Sequence, residues 1–198
     1  MVLILSGCKT KARFLCQSFH VANVNYFRHL IALTFISSES AILDGVDLDI
    51  EDHKSGGYAK LVKSLRELEK TAGAKKYLIT GAPQCPYPDA SLGPKPGTAL
   101  GDQGDEFDHV YVQFYNNFCH TGDEARFYPN MDKWLGFAAT AAQAKDSFAM
   151  VLKNRKRSME EGPKIFVGMP SATSGAGDPK YHRTPEEAAK IYEVCMQS

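Results

Sequence analysis

The chain has 198 residues, of which 23 are basic and 23 acidic, so its formal net charge is zero. That balance argues against a nucleic-acid or anionic-membrane partner, since both select for an excess of basic residues. No apolar run approaches the length of a membrane helix, and Met1 to Leu5 is too short for a signal-peptide core, being followed at once by Gly7, Cys8 and Lys9.

Strand patterns fall at residues 2–6, 42–50, 76–82, 108–115 and 164–169. Between them lie helical patterns. One covers about 21–35. The clearest follows the second strand, where Tyr58, Leu61, Val62, Leu65 and Leu68 recur at helical spacing with Gly73 close to the stop, and Lys60, Lys63, Arg66, Glu67 and Lys70 form the other face. Further helices are expected over about 130–157 and 184–196, the last opening with a capping Thr184 and with Pro185 in its first turn. Gly- and Pro-rich stretches at 93–105 and 170–180 read as loops. The alternation predicts one α/β domain over residues 1–198, built on a parallel sheet with crossover helices.

Within the second strand, Asp44-Gly45-Val46-Asp47-Leu48-Asp49-Ile50-Glu51 places Asp47, Asp49 and Glu51 on one face and Val46, Leu48 and Ile50 on the other. Asp44 is out of step and cannot share that face, which leaves it a structural role. Like charges about 7 Å apart along a strand disfavour ionising together, so at least one acid should carry a proton near neutral pH. A protonated carboxyl beside an ionised one is what glycosidic cleavage needs, because the leaving oxygen must receive a proton. Two other readings stay open: a solvated edge strand, or a carboxylate cage for a hard cation such as Mg²⁺.

The acid run resembles the Asp-x-x-Asp-x-Asp-x-Glu signature of family 18 glycoside hydrolases. Two segments narrow the likeness to the class III, hevamine-like chitinases: Tyr77-Leu78-Ile79-Thr80-Gly81-Ala82-Pro83-Gln84-Cys85-Pro86-Tyr87-Pro88-Asp89 and Val110-Tyr111-Val112-Gln113-Phe114-Tyr115-Asn116-Asn117. Lys164-Ile165-Phe166-Val167-Gly168-Met169-Pro170 is similar to the family's seventh strand, and Val2-Leu3-Ile4-Leu5-Ser6-Gly7 to its third, with Cys8 where a second glycine is expected. The resemblance implies a partial (β/α)₈ TIM barrel corresponding to strands 3 to 7, since strands one, two and eight find no match and a full barrel takes about 250 residues. Truncation of that kind would leave strands three and seven as unpaired edges open to self-association.

The same resemblance assigns roles. Glu51, at the C-terminal rim where barrel enzymes place their chemistry, is the general acid. Asp49 orients the substrate's 2-acetamido group, which acts as nucleophile, and Asp47 lies deeper and tunes Asp49 through a shared proton or hydrogen bond. Tyr115 holds the acetamido oxygen, the bland alternative being a core aromatic with a satisfied hydroxyl. Gln113, on the same side as Tyr115, and Asn116 are sugar-binding candidates. Gln84 is another, or else a residue that only bonds backbone. Cys85 and Cys119 match positions joined by a disulfide, against the alternative of reduced cysteines, and leave Cys8, Cys16 and Cys195 as an odd remainder. Trp134, the single tryptophan, reads as a packing residue.

No metal or other cofactor is implied. The expected partner is chitin or a chito-oligosaccharide, and the expected activity is retaining, substrate-assisted hydrolysis of β-1,4-linked N-acetylglucosamine in an extracellular setting. The alternative is a truncated, inactive chitinase-like chain with at most weak chitin binding.

Overall fold

Short apolar runs bounded by Gly and Pro become strands, and the longer amphipathic runs become the helices between them. The computed structural model describes residues 2–3, 14–17, 45–72, 76–151 and 162–197. In chain order the elements are β1 (Val2–Leu3), β2 (Phe14–Gln17), β3 (Gly45–Leu48), α1 (Tyr58–Ala72), β4 (Leu78–Gly81), α2 (Ala99–Gln103), β5 (His109–Gln113), α3 (Glu124–Val151), β6 (Lys164–Pro170) and α4 (Pro185–Gln197). They form a six-stranded sheet in the order β1-β6-β5-β4-β3-β2. All neighbours are parallel except β1, which runs antiparallel to β6. The architecture is α/β with an open, mostly parallel sheet.

This order corrects one expectation. Residues 2–6 were assigned to the strand beside the acid strand, but that place is taken by Phe14–Gln17, with Cys16 alongside Asp47. Val2 and Leu3 cross instead to Pro170 and Met169. Backbone pairing does not depend on side-chain identity, so any extended segment can satisfy the free edge of β3. Of the two strands expected as unpaired edges, β6 is covered by β1, while β2, which takes the place beside the acid strand, ends the sheet. Asp44, Cys8, Gly73 and the helical pattern at 21–35 lie outside the described residues.

The core lies on the face of the sheet away from the acids. Val46, Leu48, Ile50, Ile79, Val110, Val112 and Phe114 are buried in one cluster with Tyr58, Leu61, Val62 and Leu65 of α1 and Phe127, Met131, Trp134 and Phe137 of α3. β3 and β4 approach so closely at their start that a Cβ on Gly45 would sit 2.2 Å from the Leu78 carbonyl oxygen, which accounts for glycine there. The helix expected over 130–157 begins earlier, at Glu124. The stretch at 93–105 is not all loop: Thr98 caps α2 by accepting from the Gly101 N–H and donating to the Lys95 carbonyl. At α4 the expected cap is present as a reciprocal box, Thr184 Oγ1 accepting from the Glu187 N–H and Glu187 Oε2 from the Thr184 N–H.

Arg66 departs from the polar helix face predicted for it and is buried. Its guanidinium donates to Glu69, to the carbonyls of Tyr77 and Glu106, and to Asp108 Oδ2 at 2.7 Å. Asp108 also accepts from Lys76 and from the Ile79 N–H. Burial would raise the Asp108 carboxyl, but those hydrogen bonds and the Arg66 charge outweigh it and hold the group below the usual carboxylate range. The cluster clamps α1 to the N-terminal ends of β4 and β5. Removing one partner leaves the rest buried and uncompensated, so Arg66→Ala should cost about 3–5 kcal/mol in urea unfolding at pH 7. The part carried by Asp108 is fully present above about pH 4 and is lost as pH falls through its lowered pKa; a penalty for Asp108→Asn unchanged between pH 7 and pH 3 would contradict it.

Candidate active site

The two-residue repeat of β3 sorts its side chains as the sequence implies. Val46, Leu48 and Ile50 are 4%, 0% and 2% exposed, while Asp47 and Asp49 are half-buried on the opposite face and Glu51 is exposed just beyond the strand end. β5 sorts the same way, with Val110, Val112 and Phe114 in the core and His109, Tyr111 and Gln113 on the acid side. Tyr115 continues that parity.

Register then decides which neighbours meet the acids. β3 and β4 pair with Asp47 opposite Thr80, and the Thr80 hydroxyl donates a hydrogen bond to Asp47 Oδ1. Burial nevertheless keeps the Asp47 carboxyl above its ordinary value, the Thr80 bond offsetting only part. Asp49 is pushed up to about 6, first by burial and then by the charges of Glu51 and Asp47, against a lowering hydrogen bond from Gln113. Crowding by like charge thus contributes at Asp49, second to burial, whereas at Asp47 the rise comes from burial alone.

Gln113 is the residue on which the acids converge. Its Nε2 lies 3.1 Å from Asp49 Oδ1, 3.0 Å from Glu51 Oε1 and 2.8 Å from the Ala82 carbonyl oxygen. Its backbone is held on both sides, its N–H donating to the Pro83 carbonyl and its carbonyl accepting from the Cys85 N–H. The buried Tyr115 stands beside the same acids, and its hydroxyl is raised to about 12 by burial and by the charges of Asp49 and Glu51. It is therefore a neutral O–H donor throughout the working pH range.

The rim around Tyr115 is tied down at several points. Cys85 and Cys119 form a disulfide with Cα atoms 5.9 Å apart. The Trp134 indole, fully buried, donates to the Cys85 carbonyl at 3.2 Å and meets Tyr87 edge-on, so it packs as expected. Asn117 donates to the Gln84 side-chain oxygen at 3.2 Å; Gln84 thus serves the rim side chain to side chain. Asn116 has φ +57° and its Oδ1 accepts from the Gly177 N–H at 2.8 Å, which commits that oxygen to the loop after β6. Asp89, buried, accepts from the N–H groups of Ser91 and Leu92, and Ser91 Oγ accepts from the His53 N–H just past Glu51.

The structure thus brings Asp47, Asp49, Glu51, Gln113 and Tyr115 together and uses Gln84 and Asn116 to hold the rim. Two contributors were not singled out from the sequence. Thr80 needed the cross-strand register, which the sequence does not display. Tyr111, whose hydroxyl is raised by burial and by Asp47, could have been found by parity with Gln113. Its ring packs at a tilt against Phe166, ring centroids 4.9 Å apart. Among the described residues no group of three His, Cys, Asp or Glu side chains is arranged to hold a metal ion, so the Mg²⁺-cage reading finds no support in this geometry.

A family model described as glycosyl hydrolases family 18 matches residues 19–196. The chain is 40% identical to Chitinase 3 of Candida albicans over 137 residues, 69% of this chain and 20% of that protein. It is 36% identical to the Endochitinase of Saccharomyces cerevisiae over 160 residues, 81% of this chain and 24% of that one. The matched segments thus span about a fifth to a quarter of these relatives' lengths. Among solved structures, a xylanase and α-amylase inhibitor protein from Scadoxus multiflorus superposes with TM-score 0.64 at 22% identity, over 91% of this chain and 60% of that one. A GH18 chitinase from Pseudoalteromonas aurantia gives 0.52 at 22%, over 91% and 64%. At these identities the structures share the fold.

A carboxyl raised by the fold binds protons more tightly folded than unfolded. Its cost is absent below the unfolded pKa of about 4 and is complete above the folded value of about 6. Asp49→Asn should therefore raise the thermal midpoint at pH 7 by a few degrees and leave it unchanged at pH 4. An equal gain at both pH values would show that the mutation acts through packing.

Proposed function

The chain belongs to glycosyl hydrolase family 18, and from that premise we propose that it is a chitinase-type hydrolase of β-1,4-linked N-acetylglucosamine, acting with retention through the substrate's own 2-acetamido group. The observation that carries this reading is the junction at the C-terminal ends of β3, β4 and β5, where Gln113 Nε2 reaches Asp49 and Glu51 beside Tyr115. The likeness to Chitinase 3 of Candida albicans and to the Endochitinase of Saccharomyces cerevisiae supports the substrate class. The disulfide supports an extracellular setting.

In this reading Glu51, exposed at the strand end, gives its proton to the glycosidic oxygen as the bond to the anomeric carbon breaks. The acetamido carbonyl oxygen attacks that carbon from the opposite face. Tyr115 donates to this carbonyl and orients it. Asp49, ionised, accepts the acetamido N–H and offsets the positive charge of the oxazolinium formed. Glu51, now a carboxylate, takes a proton from the water that opens the ring, and the configuration at carbon is retained. Asp47 and Thr80 hold Asp49's surroundings from below.

Replacing Glu51 with Gln keeps shape and removes the transferable proton. Hydrolysis of a chitin oligosaccharide should fall at least about 10²-fold with KM little changed, and equal turnover by variant and parent would refute the assignment. Because Asp49 acts as a carboxylate with its pKa raised to about 6 while Glu51 must keep its proton, kcat/KM should follow a bell whose acid limb is set by Asp49. A rate flat from pH 4 to pH 7 would exclude that role. One observation favours a second reading, chitin binding without turnover: the sheet formed by the described residues is open, ending at β1 and β2 instead of closing on itself. Oligosaccharide binding by both parent and Glu51→Gln, with no turnover by either, would select it.

A further inference from the structure

The amide nitrogen of Gln113 carries two hydrogens and faces three acceptors: the Ala82 carbonyl at 2.8 Å, Glu51 Oε1 at 3.0 Å and Asp49 Oδ1 at 3.1 Å. Three acceptors can face only the NH₂ end of an amide, so its orientation is forced. The Ala82 carbonyl is fixed in the backbone beyond β4, whose Ala82 N–H donates to the Leu48 carbonyl at 2.9 Å. As the nearest acceptor it holds one hydrogen. A single N–H remains between two carboxylates.

We infer that Gln113 is a positioning residue that makes Asp49 and Glu51 compete for that one N–H, so that a substrate engaging Asp49 releases the hydrogen bond to Glu51. The inference rests on the reading of these two acids as a working pair. A hydrogen bond to the ionised form of a carboxyl favours that form. When the acetamido N–H occupies Asp49, the amide of Gln113 turns wholly to Glu51 and stabilises the carboxylate left there once its proton has passed to the leaving oxygen. Among the described residues, the charged and titratable groups acting on Asp49 are Asp47 and Glu51 along its own segment and Tyr115 from the segment after β5. From β4 and its extension the nearby groups are uncharged: the Thr80 hydroxyl on Asp47 and the Ala82 carbonyl on Gln113. No cation among these offsets the acids. The shared N–H is therefore the lowering influence on Asp49, set against burial and the charges of Glu51 and Asp47.

The test reads protonation directly. In the 198-residue chain labelled with ¹³C at carboxyl carbons, Gln113→Leu should move the titration midpoint of Asp49 upward from about 6 by about one pH unit. In a Glu51→Ala background, where the N–H has no competitor, the same substitution should move it further. A folded Gln113→Leu that titrates like the parent, or equal shifts in the two backgrounds, would overturn the inference; Gln113→Met, closer in length, replaces the leucine variant if that one does not fold. A merely structural glutamine would alter stability without shifting Asp49. Parallel assays on a chitin oligosaccharide should show kcat reduced about 10–100-fold with KM changed less than about threefold and the rise in kcat/KM displaced to higher pH. If the parent hydrolyses no chitin, the functional reading falls, and the titration still decides the role of Gln113.

Discussion

Three carboxylates on alternate residues of one strand cannot share a half-buried face unless donors from elsewhere are aimed at them. β3 itself has none to give, since its other residues are the aliphatics that anchor it in the core. The donors arrive from the parallel neighbours, Thr80 on β4 for Asp47 and Gln113 on β5 for Asp49 and Glu51. The order β5-β4-β3 is thus a requirement of the acid strand as much as of the core. Asp49 and Glu51 need a side chain that reaches across β4, and the length of glutamine meets that need while the Ala82 carbonyl steadies it on the way.

The two ends of the sheet treat aspartate in opposite ways. At the N-terminal end of β5, Asp108 meets Arg66, Lys76 and a backbone N–H and is held below its usual range. At the C-terminal end of β3, Asp49 meets two like charges and one neutral donor and is held above it. Burial acts upward in both cases, so the difference lies in where the cations are. Charge compensated fully at one end clamps α1 to the sheet. Charge compensated partly at the other leaves carboxyls poised to exchange protons, the pattern expected of a catalytic site.

What was legible in the sequence follows from parity. Alternation placed Asp47, Asp49 and Glu51 together, and the same rule put Gln113 with Tyr115. Helical spacing found α1, and the Thr184 box found α4. Register was not legible, because backbone pairing is blind to side-chain identity; hence Thr80 was not singled out and Phe14–Gln17 displaced residues 2–6 beside β3. Arg66 shows a different limit. A cation at an exposed-looking helical position becomes a buried hub when carbonyls and an aspartate distant in sequence converge on it. Asn116 was read as a polar group for a ligand and Gln84 as that or as a backbone-bonding residue; both also serve a rim that, built without regular secondary structure, has backbone and amide groups of its own to satisfy.

The last connection runs from the disulfide to the acids. Cys85 is fixed three ways, by its bond to Cys119, by the Trp134 indole on its carbonyl and by its own N–H on the Gln113 carbonyl. The Gln113 N–H is held in turn by the Pro83 carbonyl. The backbone of the residue that reaches Asp49 and Glu51 is therefore gripped by a segment that the disulfide and the single tryptophan hold rigid. Ordering the backbone and ordering the side chain of Gln113 each cost entropy, and a backbone held on both sides has met its share before any ligand arrives. The disulfide and Trp134 lie in the core, and through the backbone of Cys85 they bear on how one amide is placed between two carboxylates. In this site the packing of the rim and the protonation of the acids are one structural problem, solved through the backbone of β5.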